Sequence, residues 1–596
     1  MAGPIAMKTY TNPVYRFTRP AELDAPGEKR PVVIVGAGPV GLAAAIDLGQ
    51  RGIPVVILDE DRTVSVGSRA ICYAKRALEI LDRLGCAQPV VAKGIGWNVG
   101  KVFFRDELVY RFDLLAEAGH RRPAFVNLQQ YWLEEYLVGR ATSLAAIDVR
   151  WQSRAVGVLP QSDGVTVRVA TPDGEYTLAC DWLIAADGSR SAVRQMLGLE
   201  WEGQAFRDRF LIADIHMKSD FPTERWFWFD PPFHPNQSAL LHRQADDVWR
   251  IDFQLGWEAD PDEEKKPERI LPRLRAMLGD DAEFEIEWAS VYTFQCRRMQ
   301  RFRHGRVLFA GDAAHVVSPF GARGANSGIQ DADNLVWKLT LVLDGRAPER
   351  LLDTYDVERV RAADENILNS TRATDFITPK SRVSLTFRDA VLDLAKKHAF
   401  ARRLINSGRL SVPAILADSP LNTPDCDPDF SSAPGTMIPG APAADAPVTG
   451  PAGSLEYLRA SRSGIRPWDG PAGLTEYLRA SRSGIRPWDG PAGSWLLGYL
   501  GGDFTLLAFG AALAPSDVAA LARERIPCRV VQVGGNATAG ATTVGDVEGL
   551  AVRRYDGKPG TVYLLRPDQH VCARWRRFDL LAVRAAIAHA TANDER

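Results

Sequence analysis

Glycines spaced as Gly36-Ala-Gly38-Pro-Val-Gly41 are the first residues of this chain whose types and spacing can do chemistry. Gly36 permits a tight turn, Gly38 lets backbone approach a pyrophosphate, and Gly41 lets a helix lie close on a strand. Asp59, 18 residues beyond Gly41 and followed by Glu60, is spaced to accept hydrogen bonds from an adenosine ribose. A second segment, Gly311-Asp312, precedes Pro319-Phe-Gly-Ala-Arg-Gly324-Ala325-Asn326, and a third, Asp187-Gly188, lies between the two. Together they offer anion binding by backbone amides and hydroxyl binding by carboxylates. The glycine spacing alone does not separate FAD from NAD. No His/Cys/carboxylate cluster has ligand spacing, so no metal is expected.

Each segment needs a strand to aim it and a helix to present amides. Pro31-Val-Val-Ile-Val35 is a short β-branched run, as in a strand buried on both faces. A helical stretch to Arg51 follows, and Val55-Val-Ile-Leu58 then delivers Asp59. A phosphate would sit on the helix N-terminus, where free N–H groups and the dipole favour negative charge. Alternating runs around Phe210–Met217, Arg225–Phe229 and Val248–Leu255 predict a β-sheet between Asp187 and Gly311. Of Trp226, Phe227, Trp228 and Phe229, half must face away from any ring pocket.

Gly311-Asp312 before Pro-x-Gly-x-x-Gly-x-Asn resembles the ribityl-binding segment of the single-component FAD-dependent aromatic hydroxylases. Asp187-Gly188-Ser-Arg-Ser191 with Arg194 resembles that family's Asp-Gly motif, and Tyr355-Asp-Val-Glu358-Arg359 the sequence closing its flavin domain. The whole chain most resembles the 3-(3-hydroxyphenyl)propionate hydroxylase and phenol hydroxylase branch. The resemblance implies an α/β fold with an α+β insert: a Rossmann-like FAD-binding domain, an inserted β-sheet substrate domain and a C-terminal thioredoxin-like domain. The expected spans are an N-terminal extension 1–30, FAD-binding parts 31–205 and 296–375, and a substrate sheet 206–295. A helical connection 376–430, a linker 431–493 and the C-terminal domain 494–596 complete the chain.

The resemblance also places Gly36, Gly38, Gly41, Asp59, Glu60, Asp187, Gly188, Gly311, Asp312, Pro319, Gly324, Ala325 and Asn326 around bound FAD. Arg69 matches an arginine that reaches its phosphates and Gln130 a glutamine near the flavin, although Gln130 also reads as a polar residue on an amphipathic helix. Tyr292 matches a tyrosine that contacts the phenolic hydroxyl in phenol hydroxylase; a core tyrosine with its hydroxyl satisfied is the other reading. Arg323 could touch the flavin edge, a pyridine nucleotide or an acidic substrate, or point to solvent. His315 is expected to be structural.

The implied reaction hydroxylates a phenolic aromatic with O2 through a flavin C4a-hydroperoxide. No second strand–GxGxxG–helix unit is present, so no separate nicotinamide domain is expected, and the resemblance implies that NADH or NADPH visits the FAD site transiently. The same chemistry could instead remove a nitro or other ring substituent, or act on a polyketide-like phenol. From another class, the chain could be an inactive flavin-binding assembly protein.

Composition narrows the partners. The 596 residues carry 72 basic and 74 acidic side chains, a net charge of −2, which leaves no basic stripe for nucleic acid or an anionic membrane. Seven scattered cysteines without CxxC suit reduced thiols in a cytoplasmic enzyme. No run nears the ~18 apolar residues of a spanning helix, and residues 1–30 lack a signal-peptide core. A thioredoxin-like domain without CxxC suits packing or oligomerisation, with a homodimer expected. Residues 450–469 and 470–489 match at 18 of 20 positions, which reads as a tandem duplication within a linker rather than a solenoid.

Overall fold

Val32, Val33 and Ile34 are wholly buried in strand Arg30–Val35, which pairs in parallel with Val55–Leu58 on one side and Gly174–Ala185 on the other. The structure, a computed structural model, describes residues 9–405, 410–430, 437–450 and 494–594. Strands Ile147–Arg150 and Val307–Phe309 extend this parallel sheet at its two sides. The chain leaves Arg30–Val35 for one neighbour first and reaches the other much later. The ends of Arg30–Val35, Gly174–Ala185 and Val307–Phe309 therefore bring Gly36, Asp187 and Gly311 to one edge, the crevice where open α/β sheets bind ligands.

Helix Pro39–Gln50 covers the sheet with a run of small residues, and the 20-residue helix Gly324–Leu343 packs on it. A Cβ on Gly328 would lie 2.6 Å from Val40 Cγ2 and 3.1 Å from Gly311 Cα, so only glycine permits this approach.

An antiparallel-rich sheet faces the crevice. Its order is His315–Val316, Glu285–Arg298, Glu202–His216, Val248–Leu255, Ser238–Arg243, Arg225–Phe229, Val99–Phe104 and Glu107–Asp113. Residues 99–113 thus belong to this sheet, although the sequence reading left them in the first FAD-binding part. Strand Val99–Phe104 joins in parallel to Arg225–Phe229, a pairing across more than a hundred residues that local pattern does not reveal. The sheet also starts before residue 206 and runs past 295.

Among the described residues, a third, seven-stranded sheet holds 494–495, 447–449, 542–546, 528–533, 504–509, 562–565 and 571–575 in that spatial order. Phe504–Phe509, Cys528–Val533 and Thr542–Asp546 are parallel, and 562–575 returns antiparallel. The duplicated segment lies outside the described residues.

Candidate active site

The glycine turn is built by close approach. A Cβ on Gly36 (φ +105°) would meet Ala186 O at 2.5 Å, and one on Gly41 would lie 2.0 Å from Gly36 O. At Gly38 a Cβ would meet nothing within 4 Å, so the turn is open on the side of the helix N-terminus. Pro39 begins that helix and no side chain caps it, which leaves its first amides available to an anion. Asp59 closes the turn by accepting from Ala37 N (2.6 Å) and Asp61 N (2.9 Å). Glu60 is exposed.

Asp312 reaches the same cleft from the turn after Val307–Phe309, which is separated from Arg30–Val35 by strand Gly174–Ala185. Its carboxylate takes no hydrogen bond from any described residue, lies deep in the molecule and is open to the cleft. Burial raises its pKa, against the pull of His315 and Arg69. The turn carrying it is clamped from below by Asp331, which accepts from Gly311 N (2.9 Å), His315 Nε2 (2.7 Å) and Arg359 Nε (2.6 Å). His315, 1% exposed, is therefore structural, as expected. Arg194 ties the Asp187-Gly188 turn to this one by donating to Ser189 O and Ala313 O, both at 3.0 Å. Asp187 accepts from Val193 N (3.0 Å) through Oδ2, while Oδ1 is buried without a partner.

The loop carrying Arg69 is held by Gln130. Gln130 Oε1 accepts from Ala70 N (3.0 Å), its Nε2 donates to Glu134 (2.8 Å), and Glu134 accepts from Ser65 N (2.6 Å). The Arg69 side chain is exposed in the cleft and makes no hydrogen bond to a described residue. Asn326 is committed in a similar way: Oδ1 accepts from Ala74 N (2.7 Å), and Nδ2 donates to Cys72 O (2.8 Å) and Ala322 O (2.6 Å). Gln130 and Asn326, expected beside the flavin, therefore spend their side chains on the loops around it. Arg323 is 3% exposed and donates to Phe320 O (3.0 Å), so it does not point to solvent.

Tyr292 looks at this cleft from the facing sheet. Burial pushes its hydroxyl up to about 12; the charge of Asp312 adds to this and that of Arg69 opposes it. Beside it, Phe210, Phe294 and Phe320 pack with ring centres 5.0–5.2 Å apart. Phe227 and Phe229 share their face, whereas Trp226 and Trp228 pack on the opposite one.

Residues 29–370 match the family model described as FAD binding domain. The chain belongs to this family of FAD-dependent monooxygenases. It is 33% identical over 433 residues to a 6-methylpretetramide 4-monooxygenase of Streptomyces rimosus, covering 70% of this chain and 75% of that one. It is 29% identical over 369 residues to a 3-(3-hydroxy-phenyl)propionate/3-hydroxycinnamic acid hydroxylase of Mycolicibacterium smegmatis, covering 61% and 64%. The crystal structure of the flavin-dependent monooxygenase PieE with FAD and substrate superimposes with a TM-score of 0.75 over 96% of this chain and all of that one, at 21% identity, a likeness of fold.

The cradle fits FAD on its own terms. The open side of Gly38, the unpartnered carboxylate of Asp312, the orphaned Asp187 Oδ1 and the free Arg69 guanidinium converge on one crevice. Sequence reasoning missed the supports: Asp331, and Arg250, which pairs with Asp214 (2.7 and 2.8 Å) and donates to Ser68 O and Arg69 O. Their signal was a charged residue at an inward position, Asp331 on a largely buried helix and Arg250 on an otherwise apolar strand. Among the described residues no group of His, Cys, Asp and Glu could hold a metal, and no helix is long and apolar enough to cross a membrane.

Proposed function

We propose that the protein hydroxylates a phenolic aromatic ring, consuming NADH or NADPH, a proton and O2, and releasing NAD(P)+ and water. The observation that carries this reading is Tyr292 on the sheet facing Asp312 and Arg69, which puts a phenol-sized donor opposite the flavin cradle. FAD, when bound, supplies the two-electron chemistry and oxygen activation.

The chain's own residues do the rest. The amides beyond Gly38 hold the pyrophosphate, Asp59 and Asp312 accept from ribose and ribityl hydroxyls, and Arg69 adds positive charge to the phosphates. The N-terminus of helix Gly324–Leu343 favours negative charge at the near edge of the ring system. Tyr292 orients the substrate hydroxyl by hydrogen bond, and the Phe210, Phe294 and Phe320 wall excludes water. The relative named for a pretetramide, which aligns over more of this chain, favours a polyketide-like phenol as the second reading.

Residues 494–594 suit a thioredoxin-like unit that serves packing. Cys528 and Cys572 are buried in its core, and burial pushes Cys528 up to about 12. The test is oxidation of NADH and NADPH across simple phenols, hydroxyphenyl acids and polycyclic phenols, with the mass of each product. Stimulated oxidation with a product one oxygen heavier supports the reading. A flavin that no nicotinamide bleaches with any phenol sinks it.

A further inference from the structure

The chain reaches its first flavin strand late. Residues 9–28 precede the span that matches the family model, 29–370, and every cradle residue named above lies beyond them. Residues 9–15 nevertheless cross three separate parts of the frame around that cradle. Thr9 donates from N (2.8 Å) and Oγ1 (2.7 Å) to the buried Glu287, on strand Glu285–Arg298 of the facing sheet. Tyr10, also buried, stacks on Tyr131 with ring centres 4.0 Å apart and donates to Glu135 (2.8 Å), both on helix Gln130–Thr142. Asn12 Nδ2 donates to Val64 O and Ser65 O, each at 3.1 Å. Tyr15 N donates to Arg62 O (2.8 Å), and its ring stacks on Trp151 at 4.3 Å.

The last of these contacts converge on the loop 59–71. That loop has no helix or strand of its own, so bonds from other elements must hold it. Its start is fixed by Ser153 N to Asp59 O (2.7 Å) and Gln152 N to Asp61 O (2.9 Å). Helix Gln130–Thr142 holds it from one side, through Gln130 to Ala70 N and Glu134 to Ser65 N. The carbonyls of Arg62, Val64 and Ser65 are met by the N-terminal segment instead. An irregular segment with few buried anchors opens locally at a small fraction of the global cost. Asp59 and Arg69, expected at the adenosine ribose and the phosphates, stand near the two ends of this loop.

We infer that residues 9–15 are a strap that fastens this loop, and Arg69 with it, against bound FAD, and that Asn12 is its positioning residue. Asn12 acts through the loop: one side-chain amide spans two successive carbonyls. Thr9 and Tyr10 anchor the strap to the facing sheet and to the helix, so Asn12 is presented from a fixed frame. Opening the loop breaks the Asn12 bonds and withdraws Arg69 from the phosphates. The strap therefore governs how fast FAD is lost, not the chemistry at its ring. This rests on Arg69 reaching FAD and is independent of which aromatic ring is hydroxylated.

The experiment follows FAD release, as the rise in flavin fluorescence after dilution of holoenzyme, in wild type and five variants. These are Asn12→Ala, Asn12→Asp, Arg69→Ala, the double variant Asn12→Ala with Arg69→Ala, and Arg19→Ala. Asn12→Ala should shed FAD about ten- to hundredfold faster, the worth of two ordinary hydrogen bonds. Asn12→Asp keeps the shape but sets an oxygen against both carbonyls, so it should shed FAD at least as fast; it carries the measurement if the alanine variant does not fold. Arg19→Ala, further along the same segment and paired with Asp24 and Asp173, should release FAD as wild type does. A strap that acts through Arg69 adds little once that side chain is gone, so the double variant should stay within about twofold of Arg69→Ala. Wild-type release from both Asn12 variants overturns the strap. So does full additivity in the double variant where Arg69→Ala by itself sheds FAD faster. Arg69→Ala with wild-type release defeats the phosphate role of Arg69, and the Asn12 variants then decide the strap by themselves.

Discussion

Replacing Asp331 by Asn changes one atom at the point that holds the Gly311-Asp312 turn. The carboxylate is fully buried; one oxygen serves both Gly311 N and His315 Nε2, and the other serves Arg359 Nε. Burial alone would raise its pKa, but His315 and Arg359 hold it below the usual carboxylate range, so all three donors face an anion. Asparagine keeps one acceptor oxygen and turns an NH2 toward a donor. It must abandon either Arg359 or the Gly311–His315 pair. Breaking a buried charge pair costs about 3–5 kcal/mol, and at about 2 °C per kcal/mol for a large domain the melting temperature should fall by about 6–10 °C. FAD affinity should fall too, because the turn that presents Asp312 loses its anchor. The assay is thermal melting of holo- and FAD-stripped protein together with a FAD titration. Asp333→Asn is the control: two residues along the same helix, it pairs with Arg76 and Arg83 instead, and should cost stability without changing FAD affinity. Asp331→Asn protein with wild-type melting and wild-type flavin affinity would refute the reasoning.

Gly41→Ala and Gly38→Ala should part company. The first drives a Cβ against Gly36 O and should give insoluble or flavin-free protein, whereas the second meets nothing and should melt normally when stripped but bind FAD weakly; identical behaviour would contradict the cradle. Asp312→Ala should purify colourless, with yellow holoenzyme the contrary result. The Glu358 carboxyl gives a pH prediction. Burial would raise it, yet Arg566 and Lys338 hold it far below the usual range. Its stabilisation is therefore complete above the unfolded value of about 4.3 and is lost as pH falls below it. Melting temperature from pH 6 to 3 should drop steeply in wild type and more gently in Glu358→Gln; parallel curves would remove Glu358 from the account.

What could be read from the sequence depended on range. The glycine turn, its strands and Asp59 lie within thirty residues, where β-branched runs and turn residues report their own conformation. Asp312 and Asp187 were legible because each ends a buried strand. The partners of Gln130 and Asn326, Ala70 and Ala74, come from a loop and a short strand whose approach only tertiary packing decides. Strands 99–113 were misassigned for the same reason, since nothing local tells a strand which sheet it will join. Nothing local decides which face of the sheet a charge such as Asp252 takes; the register across the sheet sets it beside Leu240 and Ile212.

Helix Gly324–Leu343 explains why the site and the C-terminal unit cannot be separated physically. Its first turn holds strand Cys72–Ala74 through Asn326, its second packs on Val40 through Gly328, and Asp331 then clamps Gly311. Beyond that point its residues turn to the third sheet. Trp337 packs edge-on against Phe504, Asn334 reaches Asp568, and Lys338 pairs with Glu358, which Arg566 also bonds. Glu358, Lys338, Arg566 and Asp568 are all without solvent exposure; Lys338 pairs with Glu358 within the flavin part, Arg566 with Asp568 within the C-terminal unit, and the Arg566–Glu358 pair joins the two. A buried ionic group of this kind is weak evidence for net stability but specifies the partner, because any other surface would bury these charges without the Arg566–Glu358 pair. Arg76 extends the same logic by donating to Gln569 (3.0 Å) and Asp568 O (2.6 Å) from the helix that follows strand Cys72–Ala74. The C-terminal unit thus fixes, through one rigid helix and one ion network, the backbone that carries the flavin cradle.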